Sequence, residues 1–481
     1  MTVTRFAPSP TGYMHIGNLR TALYAYLIAK HDAGTFILRI EDTDRERLVE
    51  GAVDVIKSTL KLTGLNYDEG PDVGGDHGPY VQSERKEIYM EYAKKLVDMG
   101  AAYYCFCTKE RLEKLHEDDA LGGYDRHCRN LSKEEVEANL KAGIPFVIRQ
   151  KMPTEGVTSY HDEVFGDISM NNEELQDQIL MKADGYPTYN FCHVIDDHLM
   201  GVTHVVRGSE YLTSTPKYVL LYDAFGWERP VYVHLPLLMG KDAEGNISKL
   251  SKRHGAVSFQ DLVADGYLPE AIINYISLLG WCPKGGEQEF FNLDELKDAF
   301  TIDGVSKSPS VFDFEKLLWF NGEYIHKLDD ADFNEKVAGF IKSDIPASIN
   351  KDKMFALLKT RIAKLSDMDE KMAFFLALPE YDKELFLNKK NKIADFEIVK
   401  TVLCEAKDVL TGVDSFDNDT LFAALMPIAE KLAIKTGTLM WCIRIAVSGL
   451  SATPGGATEI MEVIGKEESL SRIDIALTKL A

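Results

Sequence analysis

The chain opens on a short apolar alternation, Thr2-Val3-Thr4-Arg5-Phe6-Ala7, that predicts a strand, and Pro8-Ser9-Pro10-Thr11-Gly12 stops it. Prolines and a glycine so close together leave regular structure no room. Beyond that loop Leu19, Ala22, Leu23, Tyr26 and Leu27 recur at helical spacing, and Asn18 has the chemistry of an N-cap. Gly34 punctuates the helix end, and Thr35-Phe36-Ile37-Leu38-Arg39-Ile40 reads as a second, buried strand. The pattern is a β-α-β unit whose loop lies at the C-terminal end of a strand, where open α/β sheets bind ligands.

Residues 80 to 190 read as an insertion with its own elements. It starts with an amphipathic helix around Arg85–Met99, holds the Cys105/Cys107 pair and a charged segment, Lys109–Asp119, and reaches a short strand at Pro145–Arg149. The sheet pattern resumes at Gly201–Arg207 and Val231–His234. After about Phe320 strand signals fade into helical runs such as Met354–Leu365 and Ile428–Lys435, with Pro346, Pro379, Pro427 and Pro454-Gly455-Gly456 as breaks.

At 481 residues the chain exceeds a single core, which stops growing near ~250–300 residues. No apolar run is long enough for a membrane span, and the N-terminus has no signal-peptide pattern, so the expected location is cytoplasmic. Seven cysteines spread over so long a chain point to free thiols and one metal site rather than a disulfide framework. The net charge is −22, of which residues 326–481 carry only −4 (21 Lys and Arg against 25 Asp and Glu). Charge alone therefore predicts no RNA partner.

Two segments carry candidate chemistry. Thr11-Gly12-Tyr13-Met14-His15-Ile16-Gly17-Asn18 feeds a glycine-containing loop into a helix start, where unpaired backbone N–H groups favour anions. Ile247-Ser248-Lys249-Leu250-Ser251-Lys252-Arg253 is a cationic loop between Gly245 and Gly255, suited to charge developing on a leaving pyrophosphate. Each alone is weak: a capping loop with an incidental histidine and a solvated surface loop explain them equally well. Together and in this order they resemble the paired signatures of class I aminoacyl-tRNA synthetases. The variants Pro8–Asn18 and Lys249–Arg253 resemble the bacterial glutamyl branch, as do Leu38-Arg39-Ile40-Glu41-Asp42-Thr43-Asp44, Pro187-Thr188-Tyr189-Asn190-Phe191 and Val206-Arg207-Gly208. Gly465-Lys466-Glu467-Glu468 extends the likeness through the tail.

That resemblance implies a multidomain α/β protein: a Rossmann-type catalytic domain in two halves (residues 1–80 and 191–240), with an acceptor-stem-binding domain inserted at 81–190. A stem-contact domain with the Lys-Leu-Ser-Lys-Arg loop follows at 241–325, and an all-α anticodon-binding region at 326–481. It implies ATP-dependent ligation of L-glutamate to tRNA(Glu) through an adenylate, with Mg2+, by a monomer, and leaves tRNA(Gln) open as a second acceptor. Arg5 and Arg207 would hold glutamate's carboxylates, for which a planar guanidinium is suited. Glu41 would take the ammonium, with Ala7, Ser9 and Tyr189 completing the pocket. His15, Gly17, Lys249 and Lys252 would meet the ATP phosphates, with Glu210 and Leu238 near ribose and adenine. Cys105, Cys107 and Cys128 supply three thiols, with Tyr124, Asp125 and His127 open as further ligands; the resemblance implies a structural zinc on Cys105, Cys107, Tyr124 and Cys128 as in some relatives, although Asn130 stands where others have histidine, and reduced thiols are the alternative. His193, at a variable position beside the pocket, is expected to be a satisfied core histidine, and Ser209 replaces an acid common after Arg-Gly. A glutaminyl enzyme would end in β-barrels rather than helices. A small-molecule nucleotidyltransferase would not require the helical tail, and a silent RNA-binding paralogue would not need Arg5, His15, Glu41, Lys249 and Lys252 together.

Overall fold

Strands buried on both faces form where the sequence runs apolar without alternation, and strands with one wet face form where it alternates. Val3–Phe6 (β1) and Thr35–Leu38 (β2) are of the first kind and pair in parallel, Val3 opposite Thr35 and Phe6 opposite Leu38. The Ile16–His31 helix (α1) joins them, its core face carrying Leu19, Leu23, Tyr24 and Leu27. Gly34 is required at the return: a Cβ there would lie 2.0 Å from the Thr2 carbonyl oxygen, which accepts the Thr35 amide at 2.9 Å.

The computed structural model describes residues 1–118, 123–242 and 244–481, and the side chains of all of these but His116, Asp118 and Lys252. The chain divides into two units, Met1–Leu262 with Ile272–Asp313, and Val263–Ala271 with Phe314–Ala481.

In the first unit, further strands are Ala102–Cys105 (β3), Val147–Gln150 (β4), Val157–Asp162 (β5), Gly166–Asn171 (β6), Ile179–Met181 (β7), His204–Gly208 (β8), Val231–Leu235 (β9), Leu238–Lys241 (β10), Ile247–Lys249 (β11) and Ser310–Phe312 (β12). β8 and β9 run parallel, and Asp162 of β5 pairs with Tyr232 of β9, giving the order β6-β5-β9-β8. β1 adjoins this sheet where the Thr203 amide donates to the Val3 carbonyl at 2.9 Å. β3, β4 and β7 form an antiparallel sheet, and β10 is flanked by β11 and β12. Residues 81–190 are thus shared between a sheet of their own and the edge of the β9 sheet. The Lys86–Asp98 helix packs Tyr89, Ala93 and Leu96 in one core with Phe191, Ile195, Tyr218 and Leu221.

The second unit is helical, built on nine helices from Phe314–Lys327 to Lys466–Leu480 among the described residues. Its core gathers Phe333, Phe355, Met372, Phe375, Leu403, Leu425, Ile443 and Ile460. Arg472, fully buried, donates to the carbonyls of Phe374, Phe375 and Val447 and so closes helix ends that would otherwise face apolar surroundings. The expected break at Pro427 does not occur: the residue lies inside the Asn418–Lys431 helix. A mid-helix proline costs ~3 kcal/mol, and burial of Leu421, Leu425, Ile428 and Ala429 on the same helix offsets it.

Candidate functional site

A cavity of about 930 Å³ opens in the first unit where the parallel strands end. Its walls are the segments that follow β1, β2, β8 and β9, the location favoured in open α/β sheets. Arg5, Ala7, Ser9, Glu41, Tyr189 and Arg207 line it, as do His15, Gly17, Glu210, Leu238 and Lys249. Of the residues the sequence singles out for this chemistry, only Lys252 cannot be placed, because its side chain lies outside the described residues.

One end of the cavity is built on buried charge. Arg5 is clasped by Asp197, Nε donating at 2.9 Å and Nη2 at 3.2 Å. Arg39 donates from Nη1 to the same carboxylate at 2.7 Å and from Nη2 to Glu41 at 3.1 Å. Arg39 also lies 3.7 Å from Asp196, so a single guanidinium serves three acids. The shares are unequal. Asp197, between two arginines, stays well below the usual carboxylate range although burial opposes it. Glu41 is pushed up to about 7 by burial, because Arg39 and the more distant Arg5 only partly compensate. Arg207 donates from Nε to His234 at 3.1 Å and from Nη2 to Thr215 at 2.7 Å. Its Nη1 is buried with no partner among the described residues, a cationic donor in search of an acceptor.

The other end carries the signature loops. His15 is held extended (φ −65°, ψ 140°) by a bridge to Ser258, and its Nδ1 accepts from the Gly17 amide at 3.0 Å. Nε2 is therefore the nitrogen left to carry a proton. Burial lowers the imidazole's proton affinity, against a backbone hydrogen bond at Leu250 and together with the charge of Lys249. His15, not Asn18, caps α1. The expectation of free N–H groups at this helix start also fails: Ile16 donates to the Val257 carbonyl, Gly17 to His15, and Asn18 to the His15 carbonyl. An anion here meets side chains first. Lys249 stands 3.7 Å from Glu210, both of them exposed. Such pairs are worth ~0–1 kcal/mol, so the ammonium is easily surrendered to a phosphate.

His193 departs from expectation. It is buried, as a core histidine should be, but neither ring nitrogen has a hydrogen-bond partner among the described residues, and burial pushes it down to about 4. The nearest carboxylate, Asp197 at 3.7 Å, is already committed to Arg5 and Arg39. The residues that sequence reasoning did not single out are these supporting groups: Arg39, Asp196, Asp197, His234 and Asp162. A signal existed in Asp196-Asp197, adjacent acids on a helix whose Phe191, Cys192, Val194 and Ile195 are all buried. Acids at apolar positions are rarely buried without a partner.

The cysteine cluster forms a separate centre. Cys105, Cys107 and Cys128 hold their sulfurs within 4.8 Å of one another, and Cys107 and Cys128 approach to 3.6 Å. Tyr124 Oη lies 3.2 Å from Cys105 Sγ and 3.7 Å from Cys107 Sγ. A tetrahedral zinc with Zn–S bonds of ~2.3 Å needs sulfur separations of about 3.8 Å. The donor set and its spacing fit that ion.

Residues 1–319 match the family described as tRNA synthetases class I (E and Q), catalytic domain, and residues 305–477 match an anticodon binding domain. Glutamate–tRNA ligase of Clostridium tetani is 56% identical over 481 residues, covering 99% of this chain and 97% of the relative. Its counterpart in Clostridium botulinum strain Hall is 55% identical over 484 residues, covering 99% and 98%. Among solved structures, a glutamate tRNA ligase from Elizabethkingia meningosepticum in complex with its amino acid superposes with a TM-score of 0.91 at 34% identity, covering all of both chains. The glutamate-tRNA synthetase of Elizabethkingia anophelis gives 0.90 at 34% identity, covering 99% of each.

Proposed function

This chain belongs to the class I tRNA synthetases of the glutamate and glutamine type, and on that premise we propose that it ligates L-glutamate to the 3′ end of tRNA(Glu) in protein synthesis. ATP, bound with Mg2+ on its phosphates, supplies the driving force. An oxygen of glutamate's α-carboxylate attacks the α-phosphorus, the bond to the β-phosphate oxygen breaks, and pyrophosphate leaves. A hydroxyl of the terminal tRNA ribose then attacks the carbonyl carbon of the adenylate, releasing AMP. Neither step requires a protein nucleophile, so the work lies in positioning and in stabilising developing charge.

The observation that carries this reading is Arg207, which lines the cavity and whose Nη1 is buried without a protein acceptor among the described residues. A carboxylate satisfies it with a hydrogen bond and an opposite charge, whereas a neutral amide offers the hydrogen bond alone. That favours glutamate over glutamine. In our assignment Arg5 and Arg207 receive the carboxylates, Glu41 takes the ammonium, and Ala7, Ser9 and Tyr189 close the pocket. His15, Gly17, Lys249 and Lys252 meet the phosphates, and Glu210 and Leu238 face the nucleoside. Cys105, Cys107, Tyr124 and Cys128 would hold a zinc ion, which when bound cross-links β3 to the 127–130 turn and takes no part in the reaction.

The domain roles follow the same assignment. Residues 1–80 and 191–240 form the nucleotide-binding halves, 81–190 meets the acceptor stem, 241–325 contacts the stem, and 326–481 reads the anticodon. We place the protein in the cytoplasm as a monomer; no described helix is long and apolar enough to cross a membrane. Labelled glutamate, ATP and Mg2+ with purified tRNA(Glu) and tRNA(Gln) in separate reactions test the proposal. Labelling of tRNA(Glu) alone marks a discriminating enzyme, labelling of both a relaxed one, and labelling of neither ends the reading.

A further inference from the structure

β5 alternates buried and exposed positions, and its last inward position carries a fully buried acid, Asp162. Its Oδ1 accepts the Val164 and Phe165 amides, and its Oδ2 lies 2.6 Å from His234 Nδ1, on β9. His234 Nε2 in turn accepts from Arg207 Nε. The chain Asp162–His234–Arg207 thus ends on a guanidinium whose Nη1 has no protein partner among the described residues.

Counting hydrogens fixes the imidazole's state. Arg207 Nε can only donate, so Nε2 must present a lone pair. Oδ2 can only accept, so Nδ1 carries the hydrogen. The Thr215 hydroxyl gives its hydrogen to the Tyr211 carbonyl at 2.8 Å and accepts from Arg207 Nη2, so it makes no demand on His234. His234 is therefore neutral and a single tautomer. Burial and the charge of Arg207 lower its proton affinity, against Asp162 and the more distant Glu210. Around it stand Tyr160 from β5, Tyr232 from its own strand and Arg207 from β8.

We propose that His234 is a positioning residue for substrate selection: Asp162 locks its tautomer so that Nε2 holds the edge of Arg207 and turns Nη1 toward the substrate's side-chain carboxylate. The inference rests on the assignment of Arg207 to that carboxylate. A histidine does this better than a second acid because it holds the guanidinium edge without neutralising it. The positive charge stays available to the substrate.

The test is steady-state aminoacylation by the full-length protein carrying His234→Leu, His234→Gln, Asp162→Asn or Arg207→Gln. His234→Leu removes the acceptor and should raise KM for glutamate about tenfold or more while KM for ATP stays within about twofold. His234→Gln restores an acceptor near Nε2 and should bring KM back to within about threefold of the parent. Asp162→Asn unlocks the tautomer in a side chain of the same shape, so it reports even where His234→Leu does not fold, and it should raise KM for glutamate alone. Equal impairment by Gln and Leu, parallel rises in both KM values, or an unchanged KM in Asp162→Asn overturns the proposal. Arg207→Gln separates the two levels: it should raise KM for glutamate most of all, and an unchanged value there removes the Arg207 assignment and the inference built on it.

Discussion

Glutamate should bind this protein more weakly as the pH falls from 8 to 6, and the cause lies in one side chain. Burial pushes Glu41 up to about 7, because the Arg39 guanidinium, which it shares with two other acids, offsets the lost hydration only in part. In the proposed assignment Glu41 takes the substrate's ammonium, which requires the carboxylate form. With a pKa near 7 that form is about 9% of the population at pH 6, half at pH 7 and roughly 90% at pH 8. Apparent affinity scales with the competent fraction. The dissociation constant at pH 6 should therefore be about tenfold higher than at pH 8. The sign of the linked proton follows: the bound ammonium stabilises the carboxylate, so binding drives a proton off, about half an equivalent at pH 7. The substrate's own carboxylates stay ionised throughout, and His193, pushed down to about 4, stays neutral. Calorimetric titration at pH 6, 7 and 8, in buffers of different ionisation enthalpy, measures both quantities. Glu41→Gln should abolish the slope and the proton release along with much of the affinity. A parent protein with a flat profile and no released proton would refute the reasoning.

Other perturbations separate the parts of the account. Lys252→Ala should lower adenylate formation far more than tRNA binding, measured by pyrophosphate exchange in the presence of tRNA and by filter binding; unimpaired exchange would show the loop misassigned. Asp197→Asn leaves Arg5 and Arg39 short of a counter-charge and should cost about 3–5 kcal/mol, read as a lower urea midpoint; an unchanged midpoint would mean that these arginines do not depend on it. Cys128→Ser should reduce zinc content by mass spectrometry to well below one per chain, and a parent chain purified without metal would favour the thiol reading. Gly34→Ala brings a methyl within 2.0 Å of the Thr2 carbonyl oxygen and should destabilise the first unit by about 1–3 kcal/mol; a neutral result would mean that the β1–β2 edge shifts freely.

Periodicity made the β1–α1–β2 unit and the helical tail legible, because each buries one stripe or one run of apolar residues that local sequence displays. What it could not display was who partners whom. Asn18 has better capping chemistry than His15, yet a bridge to Ser258 from far along the chain holds His15 extended and brings Nδ1 to the Gly17 amide. Pro427 carries a helix-breaking signal that neighbouring burial overrides. The residues facing the cavity were readable through motifs, since those fix residue type and order together. Asp162 and His234 were not, because a buried polar residue looks like any strand position until its partner is known; Asp196-Asp197 left only the trace of two adjacent acids among apolar helix positions. His193 illustrates the converse: its burial was foreseeable, but its lack of a partner depends on Asp197 being taken by two arginines.

The most direct test of the central claim is a crystal structure of the protein bound to a non-hydrolysable glutamyl-adenylate analogue. The account predicts the side-chain carboxylate on Arg207 Nη1 and Arg5, the ammonium on Glu41, and the phosphate beside His15 and Lys249. An analogue bound outside the cavity, or seated in it with its carboxylate away from both arginines, would contradict it.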